Sequence, residues 1–328
     1  MTVQSAADED FLRMANRFRR ELLAHCYRMM GSVQDAEDLV QETYLRAWRA
    51  HDRFEGRSSL RTWLYRIATR TCLNALQSRQ RRPLPVGLGG PSTDLADPDL
   101  SRPDLPWLQP IPDALVLDEA DPAAVVATRE GIRLALVAAL QHLPPRQRAV
   151  LILRDVMGWR AAEVADVLDT TATAVNSSLR RARAHLERIA PRQDHTSDPP
   201  VSTQRAVMER YVTAFENHDI ATLMELFTAD ATWEMPPHPT WYRGVAVIRR
   251  HFEVCCPADP GDVVLVPVRA NGQPSFATYR REQPDDQHRI TCVQVLALTG
   301  TRISHVTTFA DPALHAAFDL PEVLPVPR

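Results

Sequence analysis

The spacing of hydrophobic residues changes along the chain and divides it into three parts. Between residues 11 and 82, and again between 123 and 189, apolar positions recur every three or four residues, which is the spacing of helices with one buried face. After residue 203, two helical segments are followed by runs in which apolar and polar residues alternate, as in half-buried strands. This order of elements predicts helical domains first and then an α+β domain whose sheet is antiparallel.

The segment DAEDLVQETYLRAW, residues 35–48, predicts a helix with two different faces. Ser32 is placed to cap its N-terminus. The apolar side is formed by Ala36, Leu39, Val40, Thr43 and Ala47. Asp35, Asp38 and Glu42 lie on the other side, three and four residues apart. This acidic side is either an ordinary solvated surface or a docking surface for a basic partner.

A second amphipathic helix is predicted from Ser59, and its polar side mixes arginines with an aromatic ring and amides. The residues on this side are Trp63, Arg66, Arg70, Asn74 and Gln77. Arginine neutralises phosphate, aromatic rings stack on unpaired bases and amides hydrogen-bond to base edges, so the combination suits a nucleic acid. An arginine-rich solvated face with Trp63 partly buried is the alternative.

Residues 143–189 predict three helices, 146–155, 160–168 and 172–189, with a tight turn at 169–171. Two short helices joined by such a turn to an arginine-rich helix fit helix-turn-helix geometry. Base-edge contacts would come from Asn176, Ser177, Arg180 and Arg181, and phosphate contacts from Arg183 and Arg188. A helical hairpin used only for packing is the alternative.

The segment between these helical parts, residues 83–122, holds nine prolines and eight acidic residues. Proline removes a backbone donor and fixes φ, so the segment is predicted to be a linker rather than a helix or strand. It is either a solvated tether or an acidic strand that mimics nucleic acid in a partner's channel, with Trp107 and Leu108 as its anchor. Residues 191–202 form a second predicted linker.

The final third contains polar residues that suit a site, but their spacing singles out no catalytic pair. The acid-base candidates are Glu234, His238, Tyr242, His251 and His305. Trp233, Met235, Trp241 and Tyr242 are predicted either to line a ligand cavity or to fill a core. Histidines scattered over strands are more often satisfied structural residues than catalytic ones.

The composition argues against several classes of protein. The formal charge of the 328 residues is −3, so the chain as a whole carries no nucleic-acid signature, and all 38 basic residues are arginine. The five cysteines show no paired framework and no CxxC spacing, which leaves a disulfide or zinc site unsupported. No signal peptide or long apolar run is visible, and we therefore expect a cytoplasmic protein.

These segments together resemble a known family. DAEDLVQETYLRAW followed by TWLYRIATRTCLNAL resembles domain two of the extracytoplasmic-function (ECF) sigma factors of the sigma-70 family. LPPRQRAVLILRDV with AVNSSLRRARAHL resembles their domain four. YVTAFENHDIATLMELFTADATWEMPPHPTWYRG resembles the SnoaL-like, NTF2-like cone-shaped α+β domain that a subset of these factors carries, and WLQPIPD and ANGQP look like features of that subset.

The resemblance implies a multidomain protein with two all-α sigma domains, a helical bundle and a helix-turn-helix, followed by an α+β SnoaL-like domain. The implied bounds are 8–82 for sigma domain 2, 83–122 for the linker, 123–190 for sigma domain 4, 191–202 for the second linker and 203–320 for the SnoaL-like domain.

The resemblance also implies the partners, core RNA polymerase through its largest and second-largest subunits and promoter DNA. The residues implied for polymerase binding are Asp35, Asp38, Leu39, Gln41, Glu42 and Leu45. Those implied for the minus-ten element are Arg61, Trp63, Arg66, Arg70, Asn74 and Gln77. Those implied for the minus-thirty-five element are Thr173, Asn176, Ser177, Arg180, Arg181 and Arg183.

Three hypotheses follow for the C-terminal domain. It regulates the sigma factor in cis, it binds a small molecule as a sensor, or it is a SnoaL-type enzyme fused to a DNA-binding regulator. The candidate regulatory pocket consists of Trp233, Glu234, His238, Trp241 and Tyr242. A sigma factor is the favoured interpretation, so we assign no catalytic residue, cofactor or metal ligand, and the further partners left open are a small-molecule ligand and an anti-sigma factor. No membrane partner is expected.

Overall fold

The structure, a computed structural model, describes residues 11, 13–54, 56, 58–78, 80–93, 101–117, 122–189, 200–282 and 287–324. These residues group into two compact units. The first takes its residues from 1–82 and 113–193, and the second from 83–112 and 194–328. Residues 83–93 and 101–112, which the sequence pattern treats as part of a linker, therefore pack within the second unit.

The first unit is entirely helical among its described residues. Its helices are α1 (Arg19–Met30), α2 (Val33–Ala50), α3 (Leu60–Ala75), α4 (Asp113–Val116), α5 (Pro122–Ile132), α6 (Leu134–Leu140), α7 (Pro145–Leu151), α8 (Ala161–Leu168) and α9 (Ala172–Ile189). Helix α7 continues as a π-helical turn over Ile152–Val156, so the predicted helix 146–155 contains a change of winding.

Helix ends in this unit follow from local chemistry. Gly31 ends α1 in the left-handed conformation with φ 71°, and its N–H donates to the Tyr27 carbonyl at 2.7 Å. Ser32 accepts the Asp35 N–H at 3.2 Å, which confirms the predicted cap of α2. Ser59 caps α3 in the same way through the Thr62 N–H at 3.1 Å.

Two buried arginines join α1 to the later helices of the first unit. Arg28 Nε donates to the Gly131 carbonyl at 2.9 Å. Arg148 donates to Gln141 Oε1 at 2.8 Å and also to the Met29 carbonyl. Burial lowers the pKa of each guanidinium to about 10, so both remain charged at neutral pH. Removing one arginine would strand buried carbonyl acceptors, which makes these contacts central to the packing of the unit.

The second unit places helices on a six-stranded mixed sheet. The helices are α10 (Val201–Glu216), α11 (Ile220–Glu225), α12 (Val245–Cys255) and α13 (Ala313–Ala317). The strands are β1 (Phe227–Glu234), β2 (Trp241–Arg243), β3 (Val263–Ala270), β4 (Gln273–Glu282), β5 (Gln287–Thr299) and β6 (Arg302–Phe309), in the order β2-β1-β6-β5-β4-β3.

The antiparallel sheet expected from the pattern is wrong at one pair, because β1 and β6 run parallel. Alternation of apolar and polar residues shows that a strand is half-buried but not which strand lies beside it. Here the meander from β3 to β6 brings the last strand back beside the first one. In the described part of the chain, no helix combines the length and the hydropathy needed to cross a membrane.

The core of the second unit lies between the sheet and helices α10, α11 and α12. Tyr211 is fully buried, and its hydroxyl donates to Gln294 Oε1 at 2.7 Å. Its ring stacks with Phe276 at a centroid distance of 5.7 Å. Aromatic rings from α10, α12 and β1 meet in this core, where Trp233 and Phe252 contact edge to face at 5.0 Å.

His25 in the first unit predicts a pH dependence of stability. The ring is fully buried, its Nε2 lies 3.0 Å from Thr69 Oγ1, and burial, with a smaller effect of Arg28, lowers its pKa from 6.5 to about 3. Between pH 6.5 and pH 3, His25 is protonated in the unfolded chain but not in the folded chain. The free energy of unfolding therefore falls as the pH is lowered. At pH 5 this residue alone is expected to cost about 2 kcal/mol relative to pH 7.

The measurement is urea unfolding of the protein and of His25→Gln, whose amide can still bond to Thr69, at pH 7 and pH 5. We expect the difference between the two pH values to shrink by about 2 kcal/mol in the variant. An equal pH difference in both proteins would contradict a neutral, buried His25.

Candidate nucleic-acid interface and partner surfaces

Helix α2 separates its buried and exposed sides as the sequence pattern predicts. Leu39 is 8% exposed and faces the core, whereas Asp38 and Gln41 are exposed. Asp35 forms an ion pair with Arg82 at 2.7 Å, and Glu42 pairs with Arg46 at 2.6 Å. Two of the three predicted acidic residues thus have basic partners within the first unit.

The exposed side of α2 also carries two large apolar side chains. Leu45 is 49% exposed and Trp48 is 43% exposed. They follow Asp38 and Gln41 at a spacing of three and four residues and therefore lie on the same side of the helix. We call Asp38, Gln41, Leu45 and Trp48 the α2 surface. Exposed Leu and Trp side by side on a polar helix are typical of a protein-protein contact.

Helix α3 positions the predicted minus-ten residues on or near the surface. Trp63 is half-buried against Phe54, with ring centroids 4.9 Å apart. Arg61 forms an ion pair with Glu21 at 2.7 Å, and its guanidinium lies over the rings of Tyr65 and Trp159. Asn74 and Gln77 are exposed at the C-terminal part of the helix and just beyond it.

The two central arginines of α3 contact the end of α8. Arg66 Nε donates to the Asp166 carbonyl at 3.0 Å. Arg70 forms a direct ion pair with the Asp169 carboxylate, and Arg66 lies 3.6 Å from the same carboxylate. Asp169 follows α8 in the left-handed conformation, with φ 49°. The basic side of α3 is therefore partly neutralised by one acidic residue, Asp169, of the tight turn between α8 and α9.

Helices α8 and α9 have the predicted helix-turn-helix arrangement. Val175, Leu179 and Ala182 form the buried side of α9. Among the predicted minus-thirty-five residues, Thr173, Asn176, Arg180, Arg181 and Arg183 are exposed and Ser177 is half-buried. Arg183 makes a two-pronged ion pair with Asp155 at 2.8 and 2.7 Å, while Arg181 donates to Ser177 Oγ at 3.2 Å.

In the second unit, the described residues 83–93 and 101–112 bond to strands and loops of the sheet. We call these residues the held linker. Trp107 is 9% exposed, and its Nε1 donates to the Arg102 carbonyl at 2.7 Å. Leu108 and Ile111 are fully buried. The Trp-Leu pair predicted as an anchor is therefore buried within this unit.

The β1–β2 hairpin holds the first part of the held linker. Glu234 is fully buried, and its Oε2 accepts the Val86 N–H at 3.0 Å. Its Oε1 accepts from Thr307 Oγ1 at 3.1 Å and lies 2.7 Å from His305 Nε2. Beside it, Trp241 Nε1 donates to the Gly89 carbonyl at 3.0 Å, and the Ser92 N–H donates to the Trp241 carbonyl at 2.8 Å.

The motifs WLQPIPD and ANGQP meet in the structure. The Ile111 N–H donates to Asn271 Oδ1, and the Asn271 N–H donates to the Ile111 carbonyl, both at 3.0 Å. Asn271 is fully buried at the β3–β4 turn with φ 57°, a conformation that asparagine tolerates better than most residues. Gln109 Nε2 adds a bond to Asp311 Oδ2 at 3.1 Å.

Comparison with known proteins agrees with this division of the chain. Residues 14–82 match the family model of Sigma-70 region 2, residues 133–186 match Sigma-70 region 4, and residues 208–306 match the SnoaL-like domain. Over 323 residues, 97% of this chain and 86% of the relative, the sequence is 52% identical to the ECF RNA polymerase sigma factor SigG of Mycobacterium tuberculosis. The chain belongs to the ECF RNA polymerase sigma factors.

A second relative supports the same architecture for this sigma factor. The ECF RNA polymerase sigma factor SigJ of M. tuberculosis is 32% identical over 216 residues, which is 66% of this chain and 61% of SigJ. The crystal structure of SigJ superposes with a TM-score of 0.62, covering 94% of this chain and all of the other, at 22% identity. That likeness shows a shared fold of helical sigma domains and a C-terminal α+β domain.

The structure distributes the five residues of the predicted regulatory pocket over different places. Trp233 lines a cavity. Glu234 and Trp241 hold the linker on the other side of the hairpin. Tyr242 is buried against the His251 ring at 4.5 Å, and the His238 N–H donates to the Met235 carbonyl at 2.8 Å. The pair Glu234–His305 was not visible from sequence because the two residues are 71 positions apart.

Trp48 is a candidate partner residue that the sequence pattern missed. The signal was present, since Trp48 follows Leu45 by three residues and Gln41 by seven. Tryptophan is highly buried on average in folded proteins, so residue type alone does not predict an exposed Trp48.

Replacing Asp169 should expose the basic side of α3 in this sigma factor. Asp169→Asn removes the charge opposite Arg66 and Arg70, and asparagine tolerates the left-handed conformation. Because exposed ion pairs contribute about 0–1 kcal/mol, we expect single-stranded DNA to bind roughly two- to fivefold more tightly to the full-length variant. Fluorescence anisotropy with a labelled oligonucleotide at low salt measures this change.

The matched control is Asp166→Asn, which removes the same charge three residues earlier. Arg66 bonds to the backbone carbonyl of Asp166 and keeps that bond in the control. Equal tightening by both substitutions would mean that general charge, rather than the contact with Asp169, limits DNA binding.

Proposed function

We propose that this sigma factor binds core RNA polymerase, directs initiation at promoters that it reads with α3 and α9, and is regulated in cis by its SnoaL-like unit. The observation that carries the proposal is the presence in one helical unit of three surfaces of different chemistry. One is apolar and acidic on α2, and two are arginine-rich on α3 and α9.

The α2 surface is the proposed contact with core polymerase. Leu45 and Trp48 supply apolar area, and Asp38 supplies a negative charge for a basic partner. Asp35, Leu39 and Glu42 then support the α2 surface without contacting the polymerase directly. Leu39 faces the core, and the two carboxylates pair with Arg82 and Arg46. The proposed receptors are the largest and second-largest polymerase subunits, and the proposed location is the cytoplasm.

Promoter recognition is proposed for the two arginine-rich helices. Arg61, Trp63, Arg66, Arg70, Asn74 and Gln77 serve the minus-ten element, and Thr173, Asn176, Ser177, Arg180, Arg181 and Arg183 serve the minus-thirty-five element. Arg66 and Arg70 contact Asp166 and Asp169 in this structure, so DNA must replace those contacts. The described arrangement is therefore a closed form, and promoter binding requires α3 to separate from the end of α8.

Regulation in cis is proposed to act through the held linker. A chain segment that is bonded to Glu234, Trp241 and Asn271 cannot occupy another binding site at the same time. If the linker enters the polymerase channel, as the acidic proline-rich composition favours, these bonds must break first. The SnoaL-like unit then acts as a restraint on initiation. An anti-sigma factor remains a further proposed partner.

Truncating the α2 surface should weaken polymerase binding. Leu45→Ala and Trp48→Ala remove exposed side chains, so folding stability should change little. Central aromatic and apolar contacts in an interface contribute about 2 kcal/mol or more, so each variant should bind core polymerase at least about thirtyfold more weakly. Val126→Ala, at a residue of α5 that is 56% exposed, is the matched control and should bind normally.

Core binding by biolayer interferometry gives the result directly. Wild-type affinity in the Leu45→Ala, Trp48→Ala double variant would remove the α2 surface from the proposed interface.

Loosening the held linker should raise promoter-directed transcription. Trp241→Phe removes the bond to Gly89, and Asn271→Gly removes the side-chain bond to Ile111 while keeping a residue that accepts the left-handed backbone. With both bonds absent, about 1–3 kcal/mol of restraint is lost, which corresponds to an increase in initiation of roughly five- to a hundredfold at most.

Run-off transcription with core polymerase on promoters selected from a random pool measures this effect. A matched variant, Asn217→Gly at the end of α10, removes an exposed side-chain bond within its own helix and should leave initiation unchanged. A fall in initiation in the linker variant would show that the held linker supports transcription instead of restraining it.

A further inference from the structure

The second unit contains a cavity that neither the proposed promoter contacts nor the held linker uses. Its volume is about 150 Å³. The aromatic part of its lining consists of Phe215 from α10, Phe252 from α12 and Trp233 from β1. Phe252 meets Phe215 at 5.7 Å and Trp233 at 5.0 Å, both edge to face. A rigid aromatic wall of this kind suits a flat apolar molecule.

The lining also contains polar atoms that the described residues leave without a hydrogen-bond partner. Among them are Trp233 Nε1, His251 Nδ1 and Thr308 Oγ1, all inaccessible to solvent. Trp233 is 3% exposed and His251 is 4% exposed. An unpaired buried polar atom costs about 1–3 kcal/mol. Three such atoms around one cavity indicate a place where a ligand supplies the missing partners.

Two titratable groups of the lining, His251 and Cys256, are neutral at physiological pH. Burial lowers the pKa of His251 to about 4, so its ring carries no charge. Burial raises the pKa of the Cys256 thiol to about 11, and its Sγ lies 3.6 Å from His251 Nε2. Arg280 also lines the cavity, but its side chain is exposed and donates to the Pro257 carbonyl at 2.6 Å. A charged ligand would lose its hydration without gaining a counter-ion from the buried part of the lining, so that part favours a neutral molecule.

The dimensions limit the ligand further. A cavity of about 150 Å³ with an apolar lining is large enough for a single benzene ring, the size that an engineered protein cavity of this volume accepts. A hydroxyl group on such a ring accepts a hydrogen bond from Trp233 Nε1 and also donates one to a neighbouring acceptor. A second ring would exceed the available space.

We propose that this cavity is a binding site for a neutral, hydroxylated single-ring aromatic molecule, held by the Phe215–Phe252–Trp233 wall and by the ring nitrogens of Trp233 and His251. The proposal of a ligand site depends only on the cavity. The further idea, that the ligand regulates the sigma factor, rests on the proposed function.

The β1–β2 hairpin connects this site with the held linker. Trp233 pairs with Tyr242 across the hairpin, and Glu234 pairs with Trp241. Because successive residues of a strand point to opposite faces, Trp233 and Tyr242 lie on the cavity side, whereas Glu234 and Trp241 lie on the linker side. A ligand that moves Trp233 therefore acts on the strand that holds the linker, one residue away.

Titration calorimetry of the full-length chain with p-cresol, toluene and benzoate tests the ligand site without polymerase or DNA. We expect p-cresol to bind with one-to-one stoichiometry and a Kd on the order of 1 mM or tighter. Toluene, which lacks the hydroxyl, should bind roughly three- to tenfold more weakly, and benzoate should not bind because it is charged.

Two variants locate the binding. Trp233→Phe keeps an aromatic ring but removes the donor, and should reduce p-cresol affinity to that of toluene. Trp159→Phe makes the same change at a buried tryptophan of the first unit, and should leave p-cresol affinity unchanged. Ala214→Met, which fills the cavity from α10, should abolish binding of both neutral probes while thermal unfolding shows that the variant is folded.

Each remaining outcome decides against the proposal. Absence of saturable p-cresol binding overturns the site, and equal binding of toluene and p-cresol overturns the polar selection. Binding that survives Ala214→Met in the folded variant places the probe elsewhere. Promoter-directed transcription is measured separately, so failure of the ligand site and failure of the proposed function remain distinguishable.

Discussion

The second unit depends on a carboxylate that water cannot reach. Glu234 is fully buried at the end of β1, and such a group is tolerated only when its oxygens have hydrogen-bond partners. Two partners, His305 and Thr307, come from the neighbouring strand β6, and the third is the Val86 N–H of the held linker. The parallel pairing of β1 with β6 brings these groups together. The sheet therefore supplies two of the hydrogen-bond partners of Glu234, and the held linker supplies the third. Loss of the linker would leave Oε2 with one partner fewer.

The first unit is organised by buried charge in a comparable way. Arg28 and Arg148 reach from one set of helices to carbonyl groups of another, and their positive charges lie in the interior. At the surface, Arg66 and Arg70 of α3 make weaker contacts with Asp166 and Asp169. The difference in burial matters for function, because the interior contacts resist separation while the exposed contacts can be exchanged for phosphate. A closed form that opens on DNA follows from this difference.

The sequence pattern predicted the elements well where one residue type controls them. Ser32 and Ser59 cap α2 and α3, the buried side of α2 is the apolar side, and the tight turn at Asp169 lies between α8 and α9. The family could be inferred from the same segments. What the pattern could not supply were contacts between residues far apart in the chain. The bonds Ile111–Asn271 and Val86–Glu234 span 160 and 148 residues. The prolines predicted a linker without helix or strand over 83–122, but this segment contains a 3-10 turn at Pro85–Gly87 and helix α4 (Asp113–Val116). Composition also does not reveal which surface such a segment covers.

The central claim, that residues 83–93 and 101–112 are held by the C-terminal unit, is tested most directly by hydrogen exchange of the free full-length protein. The amide hydrogens of Val86, Ser92, Arg102 and Ile111 all donate to acceptors of the C-terminal domain, namely Glu234, Trp241, Pro237 and Asn271. We predict that these amides are protected at least about a hundredfold relative to an unstructured chain, as expected for bonds that open only with local unfolding. Exchange at the rate of an unstructured peptide would contradict the claim and would support the alternative, a solvated tether.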